Sequence, residues 1–196
     1  MSGLADTGAR LGDRDGRLVE ARNNLGALLY RQAEGATGKA VQSGYRAAER
    51  QLGEAVKIRP AYGEAWYNLG LVRAARGDVT GAVRAYGKAV ELDPRDPDAL
   101  LNLAAAQQRL GNLDGALKTA GTAARLHPRD AVIQGAYGEL PAKKGRRREA
   151  IERLRRATRL DPRALRPARK LALLLAKSGE HARAVKLLQR TRARHP

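Results

Sequence analysis

The chain repeats itself with a period of 34 residues. Proline keeps this spacing at Pro60, Pro94, Pro128, Pro162 and Pro196. An alanine lies twelve residues before each of these prolines, and a glycine lies seventeen residues before each of the last four. A period between about 20 and 50 residues is typical of solenoids and other repeat architectures. The spacing therefore predicts an array of similar units, each packed against its neighbours.

Each unit is predicted to be a pair of antiparallel helices. Apolar side chains recur at helical spacing between residues 63 and 76, and a second such pattern covers residues 82–92. Gly77 and Asp78 form a turn between the two patterns, and Pro94 ends the second because proline cannot continue a helix. Since one helical hairpin cannot bury its apolar face alone, neighbouring hairpins must stack.

The residues at fixed places in the unit are those of a known repeat. Trp66-x-x-Leu69-Gly70, followed by Ala82-x-x-x-Tyr86, Ala89 and Pro94, resembles the tetratricopeptide repeat (TPR) pattern. The resemblance implies an all-α fold, an α-solenoid in which about five TPR-like helical hairpins wind into a right-handed superhelix. It also implies a concave groove, lined by the first helix of each hairpin, that binds peptides or partner proteins. We therefore expect a non-catalytic protein–protein interaction scaffold or adaptor.

The repeat boundaries follow from the same register. We expect residues 1–18 to be an N-terminal tail or short cap, and residues 19–196 to form a single solenoid. The first repeat is ten residues too long, and we expect the excess near residues 33–44 as a longer turn between its helices, with one helix extended as the alternative. The predicted repeats are 19–62, 63–96, 97–130, 131–164 and 165–196.

The fourth repeat departs from the pattern in its first helix. Pro141 lies inside that helix, where proline removes a backbone donor and kinks or breaks the chain. Gly135 and Gly138 lower its helical propensity further. We expect a distorted or mobile element there.

Positive charge is concentrated in the last third of the chain. The formal net charge is +18, and residues 131–196 carry 19 Lys and Arg against 5 Asp and Glu, a net of +14. Glu149 with Arg153, and Glu152 with Arg156, stand at the i,i+4 spacing of helical ion pairs. The basic third is either a solvated face or a contact surface for an anionic partner. Electrostatic binding of nucleic acid or another anionic surface is therefore the alternative function.

Catalytic and metal chemistry have few candidate residues. The chain has no cysteine, and its three histidines do not pair at metal-ligand spacing. We expect no catalytic residues, no cofactor and no metal. No apolar run approaches the roughly 20 residues of a membrane span, and the N-terminus does not read as a signal peptide. A cytoplasmic location is the expectation.

Positions that face the groove in the family can be carried onto this chain one by one. The candidate groove residues are Asn24, Tyr67, Asn68, Asn102, Arg109, Lys143, Arg166, Arg169, Lys170 and Lys177. The three asparagines recur at one position of successive first helices. Because an amide both donates and accepts, they suit the backbone of a peptide, although asparagine is common at this position in the family whatever the ligand.

The last five of these residues are all cations. Four of them belong to the final first helix, which contains no acidic residue, and the early groove instead carries Glu20, Glu64 and Asp98. Arg and Lys bind carboxylates and phosphates, so we expect an acidic peptide or protein segment at the basic end of the groove. The alternative is that these charges only solvate an exposed face.

The C-terminal helix, predicted over residues 183–194, leaves apolar residues such as Leu187 without a following helix to cover them. Solenoid ends expose apolar surface unless they are capped. We expect homo-oligomerisation through this end, a partner contact that covers it, or a truncated chain.

Overall fold

Helices account for all the regular structure within residues 3–193. The computed structural model describes the backbone of residues 3–193 and the side chains of residues 15–193. In that range the backbone forms ten α-helices and no strand, which confirms the all-α prediction. The helices are α1 (Gly3–Glu34), α2 (Lys39–Ile58), α3 (Gly63–Ala75), α4 (Val79–Leu92), α5 (Pro97–Arg109), α6 (Leu113–Leu126), α7 (Ala131–Lys143), α8 (Arg147–Leu160), α9 (Leu165–Ala176) and α10 (His181–Ala193).

The turn inside each of the last four hairpins uses a glycine in the left-handed region. Gly77 has a φ of 86°, and its equivalents Gly111, Gly145 and Gly179 have φ values of 80°, 76° and 81°. Side chains other than glycine rarely adopt this conformation, so the 34-residue spacing of glycine has a conformational cause. After Gly77, the Asp78 carboxylate accepts a hydrogen bond of 2.8 Å from the backbone N–H of Gly81 and caps the start of α4.

The chain forms two compact units, Met1–Ala99 and Leu100–Pro196. In the first unit, α1 packs on α2 and α3, and α3 packs on α4. Its core contains Leu52 and Tyr45 of α2 together with Leu69 and Val72 of α3. Tyr45 also stacks on Tyr30 of α1, with the ring centroids 5.8 Å apart.

In the second unit, each helix from α6 to α10 packs against the next, and α7 also contacts α9. One core cluster contains Ala104, Ala116, Ala120 and Leu140. A second cluster joins Ile151 and Leu154 of α8 to Leu171 and Leu175 of α9, with Ala184 of α10. α7 and α9 are the first helices of the fourth and fifth predicted repeats, so the unit brings two successive first helices side by side.

The expected long turn at residues 33–44 is absent, and the alternative of helix extension is confirmed. Only residues 35–38 lie between α1 and α2, and the extra length of the first repeat is helical: α2 has 20 residues, whereas α4, α6 and α8 have 14 each. Gly44 makes this possible, since a Cβ built there would lie 2.7 Å from the Cβ of Ala33 on α1. Residues 3–18, expected as a tail or short cap, belong to α1, whereas residues 1–2 lie outside the described part.

Pro141 does not break its helix, because α7 runs without interruption from Ala131 to Lys143. Pro141 stands in the last turn, where proline removes a single helical hydrogen bond. Its ring is buried, and its carbonyl accepts hydrogen bonds from the backbone N–H groups of Lys144 (3.1 Å) and Arg146 (2.9 Å). Packing and these turn hydrogen bonds accommodate the proline.

Candidate functional site

A cluster of lysines surrounds a small cavity between α7 and α9. Lys143 stands at the end of α7, Lys170 stands on α9, and Lys177 follows the last residue of α9 as its C-cap. The cavity has a volume of about 210 Å³. We call this cluster, with Glu139 and Arg166 beside it, the basic site. The residues that line the cavity are Glu139, Ala142, Lys143, Leu154, Lys170, Leu173, Leu174 and Lys177.

A nearly buried carboxylate organises the basic site. The side chain of Glu139 is 11% exposed, and its Oε1 accepts a hydrogen bond of 2.9 Å from Nε of Arg166. Nζ of Lys170 lies 3.8 Å from Oε2 of the same carboxylate. A carboxylate with so little access to water depends on such cations to offset its lost hydration. Glu139 therefore holds two of the predicted groove cations in place and neutralises one charge.

The sequence of α9 alone does not reveal this role of Glu139, because the acidic residue lies on a different helix from the cations. The cations contact Glu139 from the neighbouring first helix, 27 residues further along the chain in the case of Arg166. The sequence feature that could have indicated this role is the single acidic residue of α7, one repeat before a basic helix.

Two lysines of the basic site keep their charge available. The side chains of Lys143 and Lys177 are exposed, and among residues 15–193 neither ammonium makes a hydrogen bond or an ion pair. The four cations and one carboxylate of the basic site sum to a net charge of +3. Such a site attracts carboxylates and phosphates. Small-molecule pockets usually enclose roughly 300–1,000 Å³, so this smaller cavity suits a side chain rather than a cofactor.

Arg169 lies apart from the basic site, although the sequence grouped it there. Its side chain lines a second, more apolar cavity of about 360 Å³ between α9 and α10, together with Leu173, Val185 and Leu188. The structure thus divides the five cations predicted for the basic end of the groove between two places.

Two of the amide residues predicted to line the early groove, Asn24 and Asn68, take part in a polar network. Asn23 is fully buried; its Oδ1 accepts a hydrogen bond of 2.9 Å from Nδ2 of Asn68, and its own Nδ2 donates to Oε1 of Glu64 at 2.9 Å. Nδ2 of Asn23 also lies 3.4 Å from Oδ1 of Asn24, which is exposed. The amide of Asn68 therefore already has a structural partner within the first unit.

The same network shifts the pKa of a neighbouring tyrosine. The hydroxyl of Tyr62 donates a hydrogen bond of 3.0 Å to Oε2 of Glu64. Burial, followed by this hydrogen bond, raises the pKa of Tyr62 to about 12. The Tyr62 hydroxyl therefore keeps its proton at neutral pH and continues to donate to Glu64.

The remaining candidate groove residues are scattered. Tyr67 is half-buried, with its ring centroid 5.9 Å from that of Tyr86. Asn102 is half-buried on α5, and Arg109 is exposed at the end of that helix. None of these three residues lines the cavity of the basic site.

Contacts within the protein occupy part of the positive charge of α8. The predicted pair of Glu149 and Arg153 is present, at 2.7 Å, and the Arg153 guanidinium lies 3.9 Å from the ring centroid of Tyr137. The predicted partner of Glu152 was wrong. Glu152 pairs with Arg155 at 2.9 Å, because Arg156 turns instead to the backbone carbonyl of Pro128.

The described residues offer no metal site and no membrane helix. Among them, no group of three or more His, Cys, Asp or Glu residues is placed to hold a metal ion. None of the helices found in the same part of the chain is long and apolar enough to cross a membrane.

Family comparisons agree with the repeat spacing. A TPR repeat family matches residues 72–111, and tetratricopeptide repeat families match residues 98–130 and 141–196. The chain is a tetratricopeptide repeat protein. No curated protein matches this TPR protein in sequence.

Solved structures share the fold of this TPR protein at low sequence identity. PilF of Pseudomonas aeruginosa has a TM-score of 0.74 and 21% identity, over 91% of this chain and 77% of that one. MamA from Desulfovibrio magneticus RS-1 has a TM-score of 0.69 and 22% identity, over 87% and 98% of the two chains. YrrB, described as a TPR protein with an unusual peptide-binding site, has a TM-score of 0.63 and 18% identity, over 83% and 82%. These similarities confirm the all-α repeat fold.

Proposed function

We propose that this TPR protein is a non-catalytic scaffold that binds an acidic segment of a partner protein at the basic site. The observation that carries the proposal is the convergence of Lys143, Lys170 and Lys177 on one cavity between two successive first helices. Solenoid repeat proteins use extended surfaces of this kind for binding. The peptide-binding site named for YrrB supports the choice of a peptide ligand on this fold.

The chemistry of the cavity suits a short acidic side chain. Lysine ammonium groups attract carboxylates as point charges and do not impose the planar geometry of a guanidinium. The lining also contains Leu173 and Leu174, which offer apolar contact to the methylene groups of a bound Glu or Asp. A peptide with several acidic residues would also engage the exposed ammonium of Lys143 at the rim.

Glu139 has two opposite effects on the binding of an acidic ligand at the basic site. Its carboxylate keeps Arg166 and Lys170 beside the cavity but also repels an incoming carboxylate. Replacing Glu139 with Gln removes one negative charge and keeps a hydrogen-bond acceptor of the same shape. We expect the Glu139→Gln variant to bind an acidic peptide more tightly than the original chain.

Fluorescence anisotropy tests the proposal with two labelled peptides of equal length, one of alternating Glu and Gly, the other of alternating Gln and Gly. We expect the Glu peptide to bind and the Gln peptide to fail. The Lys143→Glu/Lys170→Glu/Lys177→Glu variant should weaken Glu-peptide binding at least about tenfold, a loss of roughly 1.4 kcal/mol.

A control with the same change in net charge separates site binding from general attraction. Arg148, Arg159 and Arg163 are exposed cations outside the basic site, so their triple replacement by Glu is the matched control. At near-physiological salt, where distant exposed charges are screened, this control should lose much less affinity than the site variant. Equal losses in both variants would refute the assignment to the basic site.

Nucleic-acid binding remains the alternative function, favoured by the net charge of +14 on residues 131–196. It predicts that a labelled single-stranded oligonucleotide binds more tightly than the Glu peptide, with an affinity that falls steeply with salt. Both triple variants should then weaken binding alike. That result would replace the scaffold proposal with electrostatic binding of a polyanion.

A further inference from the structure

Two helix faces at opposite ends of the sequence expose apolar side chains. On α1, Leu18, Leu25 and Leu28 are 43%, 44% and 45% exposed. On α10, Val185 and Leu188 are 54% and 41% exposed beside the cavity that Arg169 lines. We call these the α1 face and the α10 face. Exposed apolar surface of this kind marks an interaction site.

The repeat shows what the α1 face is shaped to contact. Asn24-Leu25-Gly26 of α1 matches Asn68-Leu69-Gly70 of α3, so Leu25 and Leu28 correspond to Leu69 and Val72. Leu69 and Val72 are buried, at 1% and 0% exposure, in the core where α3 packs against the preceding helix pair. The α1 face is therefore the surface by which a first helix sits on the hairpin before it.

The α10 face is the complementary surface. Ile151 and Leu154 of α8 lie 34 residues before Val185 and Leu188. They are 8% and 0% exposed because α9, the first helix of the next repeat, covers them together with its own Leu171 and Leu175. The α10 face is therefore shaped to receive a first helix, and among the described residues no helix covers it.

Two residues of opposite charge indicate that α1 is the first helix that fits the α10 face. Inside the first unit, Glu64 of α3 accepts a hydrogen bond of 2.9 Å from Asn23 of the preceding first helix. In the repeat register, Glu20 of α1 corresponds to Glu64, and Arg169 of α9 corresponds to Asn23. Both Glu20 and Arg169 are exposed. An α1 seated on the α10 face would bring this carboxylate to this guanidinium.

We infer that the protein associates head to tail: the α1 face of one copy sits on the α10 face of a second copy, and Glu20 pairs with Arg169 of the second copy. The contact would reproduce the packing of one repeat on the next. Because it is heterologous and leaves a free face at each end, it allows further copies to add, into a closed ring or an open chain. The inference uses other residues than the basic site and does not depend on the proposed function.

Sedimentation velocity over a range of protein concentrations tests the inference. The mass of the original chain should rise with concentration beyond that of a dimer. A Leu25→Glu/Leu28→Glu variant and a Val185→Glu/Leu188→Glu variant should each associate at least about tenfold more weakly. All four positions are partly exposed, and the circular dichroism spectrum of each variant checks that the helices are retained.

An equimolar mixture of the two variants gives the decisive result. Each keeps one intact face, so the mixture should form a one-to-one dimer that does not grow further. Separately, Glu20→Arg and Arg169→Glu should each weaken association about two- to fivefold, and the two together in one chain should restore it.

Three outcomes would overturn the inference. The first is an original chain that stays monomeric at all concentrations, as a partner of another kind for these faces would require. The second is a mixture of variants that remains monomeric. The third is a Val185→Glu/Leu188→Glu variant that still dimerises by itself, since that would mean that α1 pairs with α1.

Discussion

The contact between α3 and α4 predicts opposite effects for two glycine-to-alanine substitutions. A Cβ built on Gly70 of α3 would lie 2.5 Å from Cδ1 and Cε1 of Tyr86 and 3.0 Å from its Cγ. The Tyr86 ring belongs to α4, is 2% exposed and cannot move away without disturbing the core. Gly87, the next residue of α4, has no atom within 4 Å of the equivalent Cβ position.

The free energies follow from these distances. Overpacking a core costs about 1–3 kcal/mol, and we place Gly70→Ala near about 3 kcal/mol because a rigid ring stands in the way. Alanine regains about 1 kcal/mol of helix propensity, so the net loss is about 2 kcal/mol. Gly87→Ala gains about 1 kcal/mol of propensity without a clash. The free energies of unfolding of the two variants should therefore differ by about 3 kcal/mol.

Urea unfolding followed by circular dichroism measures both variants, with the slope of the transition checked for constancy. A Tyr86→Ala background supplies the control, because it recreates the Ala104 and Ala120 arrangement of the third repeat. There, Gly70→Ala should be neutral or stabilising. A Gly70→Ala variant as stable as the original chain would refute the argument from close packing.

Two further predictions concern polar groups. Asn23→Ala removes the buried amide that bonds to Glu64 and Asn68, so the free energy of unfolding should fall by about 1–3 kcal/mol, whereas Asn24→Ala, at an exposed position, should change it by less than about 0.5 kcal/mol. Equal urea midpoints for the two variants would contradict the network. Separately, the hydrogen bond and charge of Lys144 hold the pKa of Asp114 below its ordinary value of 3.8, so this ion pair stabilises the fold above that pH and is lost as the pH falls through the lowered pKa. Asp114→Asn should flatten the loss of thermal stability below about pH 3.8, and an unchanged acid profile would show that the pair contributes nothing.

Much of the fold could be predicted because the two helices of each repeat pack through side chains of matched size at the same positions. Where the first helix has glycine, as at Gly70 and Gly138, the second helix presents a large side chain, Tyr86 or Leu154. Where the first helix has Ala104, the second helix presents Ala120. These compensations fall at a fixed offset, so the sequence contains them directly. Helix ends were equally predictable, since left-handed glycines such as Gly77 keep the 34-residue spacing.

The insertion in the first repeat could not be placed by the same reasoning. A period defines how many residues a unit should have, but ten extra residues can lengthen either a loop or the two helices beside it. The outcome depended on a local contact, the close approach of Gly44 to Ala33, which allows the lengthened α1 and α2 to pack together. Composition alone, with its glycine and small polar residues, favoured a loop.

The basic character of the candidate site was predicted, but the set of cations that share it was not, and helix geometry explains the difference. Successive residues of an α-helix are separated by about 100° around its axis. Arg166, Lys170 and Lys177 consequently fall within about 40° of one another, whereas Arg169 and Lys170 point about 100° apart. Counting cations along the sequence merged these two directions into one cluster, whereas Lys170 lines the basic site and Arg169 lines the cavity beside the α10 face. Glu139, the acidic residue that holds the cations of the basic site, could not be found by counting charges within α9. It contacts these cations across the packed α7–α9 contact and not from the same helix.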